Sequence, residues 1–188
     1  MVIGDLGDYL AWLPVLARWH YDQWGPLTGA ASFDGYVALL TEAAASRTVP
    51  SVLVAVADDQ LLGSANLVAS DLPLRSGMTP WLAQLFVEPS RRRDGVGASL
   101  VRAVLERARQ CGYGRVYLYT SGTLPQYYSR LGWRFVERLE YLQRERTVMD
   151  YDVELSSAPN IGMQPTAFGR GRYRAFGAHA QRQMAGEL

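Results

Sequence analysis

Leu6, Leu10, Leu13, Leu16 and Ala17 recur at spacings of three and four, with Trp12, Trp19, His20 and Trp24 added. This is the period of an amphipathic helix running into an aromatic cluster. Pro14 interrupts the pattern and marks a helix start near residue 13, since proline suits a first turn and not a helix interior. Ser32 or Asp34 caps a second helix through Tyr36, Val37, Leu39, Leu40 and Ala43, which ends before Pro50. The period then changes. Runs 52–57 and 61–68 flank Asp58-Asp59-Gln60 and predict two paired strands, and 81–87 predicts a third, stopped by Pro89. Val96, Leu100, Val101, Val104, Leu105 and Ala108 predict a helix that ends at Gly112. A strand at 116–120, a short helix at 125–131 and a closing antiparallel pair at 133–141 and 147–155 complete the order ααβββαβαββ. The fold class is α/β, in the α+β sense of one mixed sheet with helices on its faces.

The chain has 188 residues, 48% hydrophobic, and a net charge of +1. These values suit one globular domain and argue against binding nucleic acid by bulk charge. Residues 1–155 form the predicted domain. Residues 156–188 carry five glycines, four arginines and one acid without a sustained period, so the expectation there is a flexible or loosely docked tail. Phe168, Tyr173 and Phe176 are its residues best suited to dock on the domain or on a second copy, which leaves a homodimer open. The single Cys111 excludes an internal disulfide and a four-cysteine zinc site, and two histidines, His20 and His179, build neither a metal centre nor a recognisable triad. No metal is expected. The longest apolar run is six residues, Val52 to Ala57, and no basic residue precedes Arg18, so the expectation is a cytoplasmic protein without membrane contact. All 19 basic residues are arginine, a bias that speaks of genome composition more than of mechanism.

The most informative stretch runs from Leu85 to Leu100. A strand ends, a turn with Arg91, Arg92, Arg93, Gly95 and Gly97 follows, and a helix begins. The first N–H groups of such a helix lack partners and favour anions, while glycines admit a phosphate close to the backbone. The spacing Arg92-x-x-Gly95-x-Gly97 fits neither the dinucleotide fingerprint nor the P-loop. The plain alternative is an ordinary strand–turn–helix with surface arginines.

This segment resembles the phosphate-binding motif of the GNAT superfamily of acetyl-CoA-dependent N-acyltransferases. Tyr127-Tyr128-Ser129-Arg130-Leu131-Gly132-Trp133 is similar to the family's Tyr-x-x-Leu-Gly-Phe segment, with Trp133 as the aromatic. The two motifs stand in the family's order and separation, and the resemblance covers about residues 1–155. It implies a single domain whose mostly antiparallel sheet contains a splayed parallel strand pair. It also implies acetyl-CoA as co-substrate, held by Leu85, Phe86, Val87, Arg92, Arg93, Asp94, Gly95, Val96, Gly97 and Ala98. The acceptor would be a small-molecule amine or a peptide N-terminus, attacking the thioester directly in a ternary complex. By the same resemblance Tyr128 is the general acid toward the leaving thiolate, with Tyr127 its neighbouring alternative. A main-chain N–H near Phe86 or Val87 would stabilise the oxyanion.

Many relatives place a Glu on the strand before the phosphate turn, and residues 81–85 hold no carboxylate. Asp71, Tyr119 or a water chain ending on one of them is the candidate base. Glu88, which precedes Pro89, is expected to be solvated on the CoA side. Trp24, Trp81 and Tyr127 are candidate acceptor contacts, although tryptophans more commonly fill cores. Two other functional classes stay in play: an acyl-CoA sensor without turnover, and a nucleic-acid-associated protein using the arginines of the tail.

Overall fold

A computed structural model of the chain describes residues 1–28 and 32–154. The expectations for the tail therefore fall outside the described residues. Seven strands form one open sheet in the order β1-β2-β3-β4-β5-β7-β6. They are β1 (Val2–Asp5), β2 (Ser51–Ala57), β3 (Gln60–Val68), β4 (Trp81–Val87), β5 (Arg115–Thr120), β6 (Arg134–Tyr141) and β7 (Arg144–Asp152). Four α-helices accompany them: α1 (Leu13–Thr28), α2 (Phe33–Ala44), α3 (Val96–Gln110) and α4 (Leu124–Arg130). The expected α/β class and mixed sheet are present, with one strand more than the sequence pattern predicts, the short edge strand β1.

Local chemistry accounts for the element ends. Ser32 caps α2 by accepting the Gly35 N–H, which settles the choice between Ser32 and Asp34. Asp58 and Asp59 both take positive φ, the hairpin geometry that matches the twist of β2 and β3. All six predicted apolar positions of α3 are buried, and they pack on Leu62, Leu82, Val116 and Leu118 from the sheet. Truncating Leu100 to alanine there would cost about 2–5 kcal/mol. On the opposite face α1 and α2 cover Val52 and Val54, while Trp81, Tyr117, Tyr119, Tyr141 and Val148 form a third cluster beyond them. Asp5 of β1 pairs with Arg47 at 2.9 Å and with Arg107 of α3 at 2.8 Å, tying the edge strand to both neighbours. Among the described residues no helix is long and apolar enough to cross a membrane.

The feature that makes a site is the junction of β4 and β5. The two strands run parallel and share a single register pair, Trp81 with Tyr117. Beyond it β4 keeps its antiparallel partner β3, with an irregularity between Ser64 and Asn66, and has no paired residue on its β5 side. The sheet therefore opens between the carboxyl ends of two parallel strands, where α/β sheets receive ligands.

Candidate active site

The opening is a cleft of about 840 Å³, within the range of small-molecule sites. It passes from the α3 and α4 side of the sheet to the side covered by α1 and α2.

On the α3 side lies the glycine turn. Gly95 holds φ +81° at the N-cap of α3, a backbone region costly for other residues, and no side chain caps the helix. The first-turn N–H groups of α3 are thus left for a ligand. A Cβ added to Gly97 would stand 3.0 Å from the Tyr127 hydroxyl, so even a methyl group there would press on Tyr127. Arg92, Arg93, Gly95, Gly97 and Ala98 line the cleft. Of the remaining turn residues, Asp94 is exposed away from the cleft lining and the Val96 side chain is buried in the core, so neither side chain contributes there. Glu88 is not freely solvated: it accepts the Ser90 N–H at 2.8 Å and lies against a second, smaller hollow with Trp12 and Trp19.

The middle of the cleft is walled by Leu85, Phe86 and Val87 from the unpaired edge of β4 and by Tyr128 from α4. Tyr128 packs edge-on against Trp133 and Tyr127, and its hydroxyl makes no hydrogen bond to a described residue. Burial pushes its phenol well above the usual range, so the hydroxyl stays protonated and available as a donor. Tyr127 sits instead beside Gly97, at the glycine-turn end of the cleft.

Gln84 takes φ 49° within β4, a non-glycine residue in the left-handed region. Its side-chain oxygen accepts from Asn66 Nδ2 at 2.6 Å and from the Tyr36 hydroxyl at 3.4 Å. Tyr36 in turn meets His20 Nδ1 at 3.0 Å, and His20 Nε2 meets Ser64 Oγ at 2.7 Å. A neutral imidazole satisfies both contacts, donating from one ring nitrogen and accepting at the other. Complete burial agrees, pushing the His20 pKa down to about 3. His20 is thus structural. This chain of polar groups was not visible in the sequence, because its members lie on α1, α2, β3 and β4.

On the far side Asp71, Tyr119, Tyr141, Arg144 and Arg146 line the cleft with Trp24. Protein packs closely round the Asp71 carboxyl, no cation offsets this, and its pKa is pushed up to about 7. Tyr119 is displaced upward by burial, then by the nearby Asp71. It is a poor base and a good donor. Trp81 does not reach the cleft: it is fully buried, its indole N–H bonds the Met78 carbonyl at 2.6 Å, and its ring packs on Tyr117 and Tyr119.

Comparisons with known proteins agree with this architecture. An aminoglycoside 6'-N-acetyltransferase complexed with coenzyme A is similar over 82% of this chain and 98% of its own, with a TM-score of 0.64 and 17% identity. The aminoglycoside 6'-N-acetyltransferase from Enterococcus faecium is similar over the same shares, with a TM-score of 0.63 and 17% identity. The yncA protein from Salmonella typhimurium, solved with its cofactor acetyl-CoA, has a TM-score of 0.62 and 17% identity over 86% of this chain and 98% of its own. Human N-acetyltransferase 8 is 37% identical over 71 residues, which span 38% of this chain and about a third (31%) of that protein. The sequence profile described as the Acetyltransferase (GNAT) family matches residues 13–133, which contain both motifs and every strand from β2 to β5. The chain belongs to the GNAT family of acetyltransferases.

Proposed function

We propose that the protein is an N-acetyltransferase that moves an acetyl group from acetyl-CoA to an amine by direct attack in a ternary complex. The observation that carries the reading is one cleft with an uncapped glycine turn at one end, the Tyr128 hydroxyl in the middle and the Asp71 carboxyl at the other. Acetyl-CoA, when bound, supplies the acetyl thioester. The α3 N–H groups with Arg92 and Arg93 would hold its phosphates, and the unpaired edge of β4 at Leu85 to Val87 would hold its pantetheine arm and polarise the acyl oxygen. Tyr128 donates its proton to the departing sulfur.

Asp71 is the base of this reading, and Tyr119 a hydrogen-bond donor beside it. A carboxylate of pKa about 7 is matched to an α-amino group of pKa about 7.7 to 8.0, against about 10.4 for a lysine-like amine. The first proton transfer is uphill by roughly 1 kcal/mol and the second by more than about 4 kcal/mol. An acceptor amine of low pKa is therefore favoured. The aminoglycosides of the structural relatives carry several ammonium groups, whereas Asp71 is the single acid that lines this cleft among the described residues, and Arg144 and Arg146 line it as well. The test is a panel of amines read out by release of CoA thiol. Amine-dependent release with formation of the acetamide is expected. Acetyl-CoA binding without release for any amine would identify a sensor instead.

A further inference from the structure

Arg146 is a partly buried arginine without a counterion. Its Nη1 reaches Ser121 Oγ at 3.3 Å and its Cζ stands 5.8 Å from the centre of the Tyr119 ring. Its Nε is buried and bonds nothing, and no carboxylate of a described residue lies within ion-pair distance. The other partly buried arginines of the described residues, Arg75, Arg107 and Arg109, each hold an acid, apart from Arg91 beside the phosphate turn. A guanidinium withdrawn from water with a donor unused is costly unless an anion completes it. Thr147 pairs with Thr120, so β7 places Arg146 beside the open end of β5, on the wall that Tyr119 shares. The glycine turn, with its own arginines, is at the other end of the cleft.

We propose that Arg146 binds a free carboxylate on the acceptor, so that the acceptor class is an amine that also bears a carboxylate, as in an amino acid or a short peptide. The inference rests on the acetyltransferase reading and deepens it. Asp71 and Arg146 both line the acceptor end, giving it one acidic and one basic pole, which fits a dipolar ligand. A guanidinium donates two parallel hydrogen bonds to a carboxylate, which the two Nη groups of Arg146 can supply at the cleft wall. Neutralising that carboxylate also removes the anion that stabilises the acceptor's ammonium, so the amine gives up its proton more readily. Exposed Arg144 extends the positive field toward the cleft mouth.

The test compares the proteinogenic amino acids and a set of dipeptides with their C-terminal amides as acceptors, alongside acetyl-CoA titration of each variant. The wild type should prefer the free acid over the amide by about 10-fold to 100-fold in kcat/KM. Arg146→Gln should collapse that preference toward one while leaving acetyl-CoA affinity in place, and Arg146→Lys should restore part of it. Equal use of acid and amide by the wild type, failure of every free-carboxylate acceptor, or an Arg146→Gln loss confined to acetyl-CoA affinity overturns the proposal. Absence of acetyl-CoA binding to the wild type would defeat the acetyltransferase reading itself, and this inference with it.

Discussion

Asn66 donates its side-chain amide to Gln84 Oε1 at 2.6 Å, across the β3–β4 ladder at the place where that ladder slips. The bond holds Gln84 at φ 49°, a left-handed backbone that costs a non-glycine residue roughly 1–2 kcal/mol. With the Tyr36 hydroxyl on the same oxygen, this contact braces the irregular stretch of β4 that borders the cleft. Asn66→Leu should lower stability by about 1–3 kcal/mol in urea unfolding, as expected for loss of a buried hydrogen bond. It should also reduce kcat/KM, because the edge is no longer fixed. An unchanged unfolding midpoint would show that the ladder slips without the clamp.

Tyr128→Phe should lower kcat by about 10² to 10⁴ with little change in acetyl-CoA affinity, since the lost proton matters only in the transition state. Tyr127→Phe should act on acetyl-CoA affinity instead, given the place of its hydroxyl beside Gly97. Steady-state kinetics with calorimetry separates the two. The reverse pattern would exchange their roles.

With Asp71 as the proposed base, the rate should depend on pH. Its carboxyl, beside Tyr119 and Tyr141, must be ionised to take a proton, so kcat/KM should fall below a pH of about 7 and flatten above it for an acceptor of low pKa. Asp71→Asn should remove that limb and cost about 10² to 10⁴ in rate. A limb that persists in Asp71→Asn assigns the base elsewhere.

The same groups leave opposed marks on stability. Asp71 has its folded pKa raised from 3.8 to about 7, so its contribution is full below pH 3.8 and is lost as pH rises through about 7. His20 has its folded pKa lowered from 6.5 to about 3, so its contribution is full above pH 6.5 and is lost as pH falls toward 3. Between about pH 4 and 6.5 the two slopes cancel in part. Asp71→Asn should therefore make the urea midpoint climb more steeply with pH across that window than in the wild type. Parallel curves would mean that the Asp71 carboxyl titrates alike folded and unfolded.

Much of the donor half was legible in the sequence because its chemistry is local. Gly95 and Gly97 lie two residues apart at a helix start, and the period of α3 is strong, so the turn and its helix followed directly. The β4 boundaries, Trp81 and Val87, followed from a run closed by Pro89. β1 was not legible. Four residues, Val2–Asp5, give too short a run to show alternation, and they become a strand through pairing with β2. The acceptor half depends on distant meetings. Trp24 and Trp81 look equivalent in sequence, yet one lines the cleft and the other is fully buried beneath Tyr119. The partners of Gln84 are 18 and 48 residues away, and Arg146 stands out only once its lack of a counterion is seen.

Titration of acetyl-CoA into the wild type and Gly97→Glu, read by calorimetry, tests the account at its centre. A glutamate there would place a bulky anion against the α3 N–H groups and the Tyr127 hydroxyl, where the phosphates are assigned. The account predicts saturable binding by the wild type and none measurable by a folded Gly97→Glu, with amine-dependent thiol release lost in the same variant. Unchanged affinity in folded Gly97→Glu would contradict it and place the donor site outside this cleft.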